Sequence, residues 1–229
     1  MRIVSLLFVV VLAVLCAGCA RYPTTEIPNT VPSRTLVSQI TVQGVINPAY
    51  YYFFALNVGT DPSHGPVPLV TSQALANEWG ILSGYGPNDP VLIPPFYVMY
   101  HNGSFQQYRA GAPIGPPYIG RVSQDRKTLY VEVDVSLITA TGQPAATNVQ
   151  INWITTNTII PSPADVGTTK IFDGFGYYGN DYLDTVPLDT ARVWQSGVNG
   201  VLDEYSGDYN TAGYPDIDMI SWQVEVRIR

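Results

Sequence analysis

Carboxylates gather towards the C-terminal part of this chain. Asp173, Asp181, Asp184, Asp203, Glu204, Asp208, Asp216 and Asp218 stand among Gly, Asn and Tyr, in stretches without apolar periodicity. Two chemistries suit such a set. A pair of carboxyls flanking a glycosidic bond can hydrolyse it, provided their separation falls in a narrow range that spacing along a chain does not give. Loop carboxylates also supply the hard oxygen ligands that Ca²⁺ takes. The densest groups are 203–210 (DEYSGDYN) and 216–218 (DID), which nominate Asp203, Asp208, Asp216 and Asp218 as cation ligands. Neither follows the EF-hand loop pattern, and solvated loop acids are the ordinary alternative. No other cofactor is expected.

The loops carry aromatics as well. Trp79, Tyr85, Tyr177 and Tyr178 lie among Gly, Asn and Asp, as do Tyr205, Tyr209 and Tyr214. Flat rings stack on sugar faces while amides and carboxylates bond to hydroxyls, so Trp79, Tyr85, Tyr177 and Tyr178 are the candidate ligand-binding residues. Tyrosine is equally at home in protein interfaces, and such rings can also fold back over the ends of a sheet. Nucleophilic catalysis has little to work with. His64 and His101 are the only histidines, and no G-x-S-x-G elbow is present. A binding or structural module is expected, with glycan as the first ligand class and an envelope protein as the alternative partner. A glycoside hydrolase is the least favoured reading.

Composition narrows the field further. Charged residues are 13% of the chain, the formal charge is −7 and the pI about 4.6. A nucleic-acid partner would demand a basic face, and the sequence has no Lys/Arg cluster. Both cysteines, Cys16 and Cys19, lie near the N-terminus. The rest of the chain can therefore form neither a disulfide nor a cysteine-based zinc site.

Residues 1–18 (MRIVSLLFVVVLAVLCAG) run from one Arg through an apolar stretch to small residues, the layout of a secretory signal. Residues 15–19 (LCAGC) resemble the bacterial lipobox, with Ala17, Gly18 and Cys19 matching and Cys16 standing where an aliphatic residue is usual. That resemblance implies cleavage before Cys19, its lipidation and membrane anchoring in a bacterial envelope. Ala20 in place of Asp then implies passage to the outer membrane. An ordinary cleaved signal or an uncleaved anchor are the alternatives. Several acyl chains would anchor the protein stably where one does not. Residues 19–34 contain three prolines and no periodicity, and read as a semi-extended tether.

Residues 35–229, read as one domain, must position these groups. The stretch 49–58 (AYYYFFALNV) is apolar on both faces of an extended strand, so it is expected in the middle of a structure, covered on both sides. Segments 35–46, 128–137, 149–156 and 222–229 alternate apolar and polar residues. The first of these contains Gly44, a candidate bulge. Asn102-Gly103 between 96–101 and 104–109 is a strong hairpin signal. Residues 118–122, 168–172 and 182–186 are shorter candidates, 111–120 a Gly/Pro corner, 67–79 the one plausible helical stretch and 80–95 a long loop. Nine or ten strands without βαβ alternation predict an all-β fold: an antiparallel two-sheet β-sandwich with long loops, or else a partly closed barrel.

The order of these parts across residues 35–137 resembles DOMON-like and family-9-like carbohydrate-binding β-sandwich modules. The resemblance rests on the Tyr/Phe-rich strand, the DPSHGP loop, the hairpin and the LYVEVDV strand. It implies a module for sugar or haem. Met99 and His101, the residue types that ligate haem in such modules, share one strand face at i and i+2, which is too close to clamp opposite sides of one iron. A packed Met and a surface His beside a turn are the expectation.

Overall fold

The computed structural model describes residues 31–58, 65–66, 96–139, 142–158, 171–179, 181–198, 201–208 and 211–229. The chain divides into two units, Met1–Val31 and Pro32–Arg229, and the described architecture belongs to the second. The helical stretch expected at 67–79 and the loop expected at 80–95 lie outside the described residues, as do the signal and tether assigned to 1–30.

Twelve strands are described: β1 (Arg34–Val42), β2 (Tyr51–Asn57), β3 (Phe96–His101), β4 (Ser104–Arg109), β5 (Ala112–Gly115), β6 (Ile119–Val122), β7 (Thr128–Asp134), β8 (Asn148–Thr156), β9 (Phe172–Gly174), β10 (Leu183–Pro187), β11 (Arg192–Gln195) and β12 (Met219–Ile228). They form two antiparallel sheets packed face to face, a β-sandwich. One sheet runs β11-β12-β1-β7-β6. The other runs β10-β8-β2-β3-β4-β5, with β9 sharing an edge of β8 with β10.

Alternation explains how each sheet buries one face. In the first sheet, cross-strand pairing sets Val226, Leu36 and Val133 in one inward row, then Val224, Ser38 and Val131, then Trp222, Ile40 and Leu129. In the second, the inward rows are Ile151, Leu56 and Phe96, then Trp153, Phe54 and Val98. A one-residue slip in any strand would turn its row to solvent, so the registers hold one another. The serine in the middle row has a purpose. Its hydroxyl accepts the indole N–H of Trp153 from the opposite sheet at 2.7 Å and donates to the Gln223 carbonyl at 3.0 Å.

As expected, β2 is interior and covered on both faces. Tyr52, Phe54 and Leu56 enter the core between the sheets, and Phe53 and Ala55 join Tyr97 and Ile154 in a second cluster on the other side. The Asn102-Gly103 hairpin has both residues at positive φ, 51° and 77°, the requirement of a type I′ turn.

Some elements depart from the pattern. Alternation predicts that the 128–137 strand runs through Leu137, but β7 stops at Asp134. Its carboxylate accepts from the Ser136 N–H at 2.8 Å and starts a 3-10 turn over Val135–Leu137, leaving Leu137 exposed. A short acidic side chain that bonds its own backbone competes with the sheet ladder. The register shift in β1 falls between Thr41 and Val42 rather than at Gly44. Ile228, an apolar position of the alternating segment 222–229, is exposed at the end of β12. The Gly/Pro corner holds a strand, β5, reached through a second hairpin with Ala110 and Gly111 at positive φ.

Candidate functional site

The two sheets meet at one edge through acidic side chains. Asp173 lies on β9, opposite Thr155 of β8, while Asp218 immediately precedes β12 of the other sheet. Asp173 bridges them: one carboxylate oxygen accepts from the Met219 N–H at 2.7 Å and the other from the Gly174 N–H at 2.8 Å. Alongside, the Thr155 hydroxyl donates to the Ile217 carbonyl at 2.6 Å. The segment 201–208 closes over this junction and brings Asp208. Oxygens of Asp173, Asp208 and Asp218 all lie within 4.8 Å of one another, and all three side chains are buried.

Counting donors shows how poorly this cluster is neutralised. Asp218 accepts from the Gly207 N–H at 2.8 Å, from the Thr211 hydroxyl at 2.9 Å and, at 3.5 Å, from the Ser206 hydroxyl. The same Thr211 hydroxyl lies 3.2 Å from Asp208 Oδ1, and it has one proton to give. Asp208 Oδ2 is buried without any hydrogen-bond partner. A fourth carboxylate, Glu204, accepts from the Gly176 N–H at 3.2 Å through Oε1, and its Oε2 is likewise buried without a partner. Among the described residues, none of the four forms an ion pair. At 4.8 Å, two carboxylate charges repel by roughly 3–4 kcal/mol at an effective dielectric of about 20, so three together are costly.

The titration behaviour follows first from burial and then from this crowding. Burial drives the Asp173 carboxyl well above the usual range, Asp208 adds to it, and the Met219 and Gly174 N–H groups oppose it. Burial, then Asp173, pushes Glu204 up to about 10. Asp208 is pushed up to about 6, first by burial and then by Asp218, with the Thr211 hydroxyl pulling the other way. An unfolded carboxyl titrates near pH 4, so with no cation added the folded chain binds more protons than the unfolded one from about pH 4 upwards. That contribution to stability is whole below about pH 4 and is lost as pH rises through the folded value of Asp208, about 6, and on towards that of Glu204, about 10. In a chelator, melting temperature should therefore fall more steeply between pH 4 and 6 for the native chain than for Asp208→Asn, to the extent of roughly the Asp208 share of the linkage. Parallel melting curves for the two would show that Asp208 is not perturbed.

Next to the acids stand exposed aromatics. The chain turns after β9 through an isolated bridge from Phe175 to Asp181, closed by Gly179 N–H donating to the Gly176 carbonyl at 2.8 Å. Phe175 stacks on Trp222 with centroids 4.6 Å apart and pins this turn to the core. Its tip presents Tyr177 and Tyr178, 52% and 59% exposed, edge to face at 4.9 Å. Tyr205, 53% exposed, comes from the 201–208 segment with its ring 6.5 Å from Tyr177, and its hydroxyl donates to Asp203 at 3.1 Å.

The positions singled out in the sequence separate in space. Tyr177 and Tyr178 lie on the exposed turn, and Asp208 and Asp218 belong to the buried cluster. Asp203 is exposed beside Tyr205. Asp216 serves another purpose, its Oδ1 accepting from the Val45 N–H at 2.9 Å. Cys19, Trp79 and Tyr85 lie outside the described residues. Asp173 and Glu204 complete the acidic site, and Tyr205 the aromatic one, although spacing alone does not group them so. Met99 is half-buried on β3, and the His101 ring stacks on Tyr51 at 3.8 Å with Nδ1 3.1 Å from the Tyr50 carbonyl.

Chemically, the buried acids do not resemble a hydrolytic pair. Their oxygens are closer together than the roughly 5–9.5 Å that brackets a glycosidic bond and its water, and a sugar cannot reach side chains as enclosed as Asp173 and Asp218. A polar cleft of about 220 Å³, lined by Gln39, Thr41, Gln195, Ser221 and Gln223 among others, lies on the outer face of the first sheet and has no carboxylate in its lining. No family model matches this chain, and no curated protein or solved structure is significantly similar to it.

Proposed function

We propose that this protein is a lipid-anchored envelope β-sandwich that binds glycan through Tyr177, Tyr178 and Tyr205. The observation that carries this reading is the grouping of three half-exposed rings on two adjoining segments, next to the Asp203 carboxylate. Exposing three tyrosines together forgoes apolar burial, which suits rings kept for a partner with flat apolar faces and many hydroxyls. Cys19, in its lipobox-like context, is the lipid site that would hold the domain to the membrane.

The test is retention of the full chain on insoluble and gel-immobilised polysaccharides. One stacked ring contributes about 0.5–1.5 kcal/mol, so Tyr177→Ala and Tyr205→Ala should each weaken binding by roughly 2- to 12-fold. Val193→Ala, an exposed position on β11, should leave it unchanged. Equal retention of all three variants removes the glycan reading. In parallel, Cys19→Ser should lose palmitate label and move from the membrane to the soluble fraction. Persistence of both label and membrane association would remove Cys19 as the anchor.

A further inference from the structure

We infer that Asp173, Asp208 and Asp218 form a binding site for one Ca²⁺ ion at the junction of β9, the 201–208 segment and the start of β12. Acidity alone would not carry this, because acidic clusters are common on surfaces. This cluster is not on the surface. Asp208 is 6% exposed and the other two carboxylates less, so their charges are withdrawn from water. Within that enclosure Asp208 Oδ2 has no hydrogen-bond partner, while its carboxylate lies within 4.8 Å of oxygens from both other residues. A buried anion in that position requires a counter-charge or a proton.

The remaining polar groups are arranged to hold the carboxylates and leave the charge uncompensated. Asp173 is fixed by the Met219 and Gly174 N–H groups, and Asp218 by Gly207 N–H and the Thr211 hydroxyl. Both Asp173 oxygens and Asp218 Oδ1 take one such donor each and keep a second lone pair to offer, while Asp218 Oδ2 also accepts from the Ser206 hydroxyl at 3.5 Å. The neighbouring Glu204 adds a fourth carboxylate, and among the described residues no Lys, Arg or His forms an ion pair with any of them. The ligand set is oxygen only, which selects a hard cation over zinc or copper. Ca²⁺ fits better than Mg²⁺. It accepts irregular geometry and bidentate carboxylates, whereas Mg²⁺ demands a near-ideal octahedron and dehydrates reluctantly.

Physically, the ion would clamp one sheet to the other through β9 and β12 and fix the segment that carries Tyr205. The inference is independent of the glycan reading, since it concerns binding of the metal alone.

The experiment uses the full chain, stripped with EDTA and returned to buffer. Titration with CaCl₂ is expected to give saturable binding of one ion per chain, and Ca²⁺ to raise the melting temperature more than equal Mg²⁺. Tb³⁺ should show tyrosine-sensitised emission that Ca²⁺ displaces. Asp208→Asn keeps the side-chain shape and the Thr211 contact while removing one charge. In EDTA it should melt at or above the native temperature, and its Ca²⁺ affinity should fall at least tenfold. No heat and no melting shift with native protein up to about 10 mM Ca²⁺, beyond the range of weak extracellular sites, would overturn the site whatever the variant does. So would an unchanged Ca²⁺ response in Asp208→Asn. An equal response to Mg²⁺ would overturn the assignment to Ca²⁺.

Discussion

Trp153→Ala is expected to cost about 3–5 kcal/mol of unfolding free energy, the range for truncating a large buried aromatic. For a domain of this size that corresponds to a fall in melting temperature of roughly 6–20 °C. Trp153 is among the largest fully buried side chains, central in β8, with its ring 5.2 Å from Phe54 of β2. Its indole N–H also crosses to Ser38 of β1, so the residue ties the two sheets by a directed bond as well as by packing. Alanine leaves a cavity walled by neighbours from both layers, and rigid sheets close around it only in part. Trp153→Phe separates the two contributions. It keeps most of the apolar volume and should lose a smaller amount, about 1–2 kcal/mol, of which the hydrogen bond supplies the coupling with Ser38→Ala in a double-mutant cycle. Thermal unfolding followed by far-ultraviolet circular dichroism measures all of these. A loss below about 1 kcal/mol for Trp153→Ala would mean that the site collapses freely, contrary to close packing between the sheets.

That core could be read from the sequence, for a physical reason. Side chains alternate along a strand, so a half-buried strand writes its own inward face, as Leu36, Ile40 and Val42 do in β1 and Trp222, Val224 and Val226 do in β12. The interior position of β2 was legible because a strand apolar on both faces has nowhere else to go. The Asn102-Gly103 turn was legible because positive φ at two successive positions selects few residues. By contrast, β11 buries only Trp194 along its length, and β5 buries no side chain fully, so neither writes a period. The candidate site was half legible. Asp208 and Asp218 lie in dense acidic stretches. Asp173 reaches them only because β9 and β12, in different sheets, meet at one edge, and nothing along the chain encodes that meeting. Asp216 and Asp218, two apart, part company because the N–H groups of Ile217 and Asp218 both turn back to the Tyr214 carbonyl. Sequence proximity proposes a ligand pair, and local turn geometry decides whether it is one.

Gly174→Ala puts the dependence of the exposed rings on the buried acids to a direct test. A Cβ at this position would stand 2.3 Å from the Gly179 carbonyl oxygen and 3.0 Å from its carbon. Both atoms are backbone, and both belong to a turn held by the Phe175 to Asp181 bridge and by Gly179 N–H on the Gly176 carbonyl. No side-chain rotation relieves that clash, so the turn must move outward or β9 must shift on β8. Overpacking of this kind costs about 1–3 kcal/mol, or roughly 2–12 °C in melting temperature. Two further consequences distinguish it from a general loss of stability. Gly174 N–H holds an oxygen of Asp173, so a shift of β9 should weaken Ca²⁺ binding even where the protein remains folded. The displaced turn also carries Tyr177 and Tyr178, so polysaccharide retention should fall along with it. Calorimetric Ca²⁺ titration and polysaccharide retention, both run well below the melting temperature, report these effects separately from folding. If Gly174→Ala melts within about 0.5 kcal/mol of the native chain, the close approach of the two glycines is not a constraint on the fold. If it melts lower but binds both ligands normally, the turn moves independently of the acids, and the coupling between the two sites is absent.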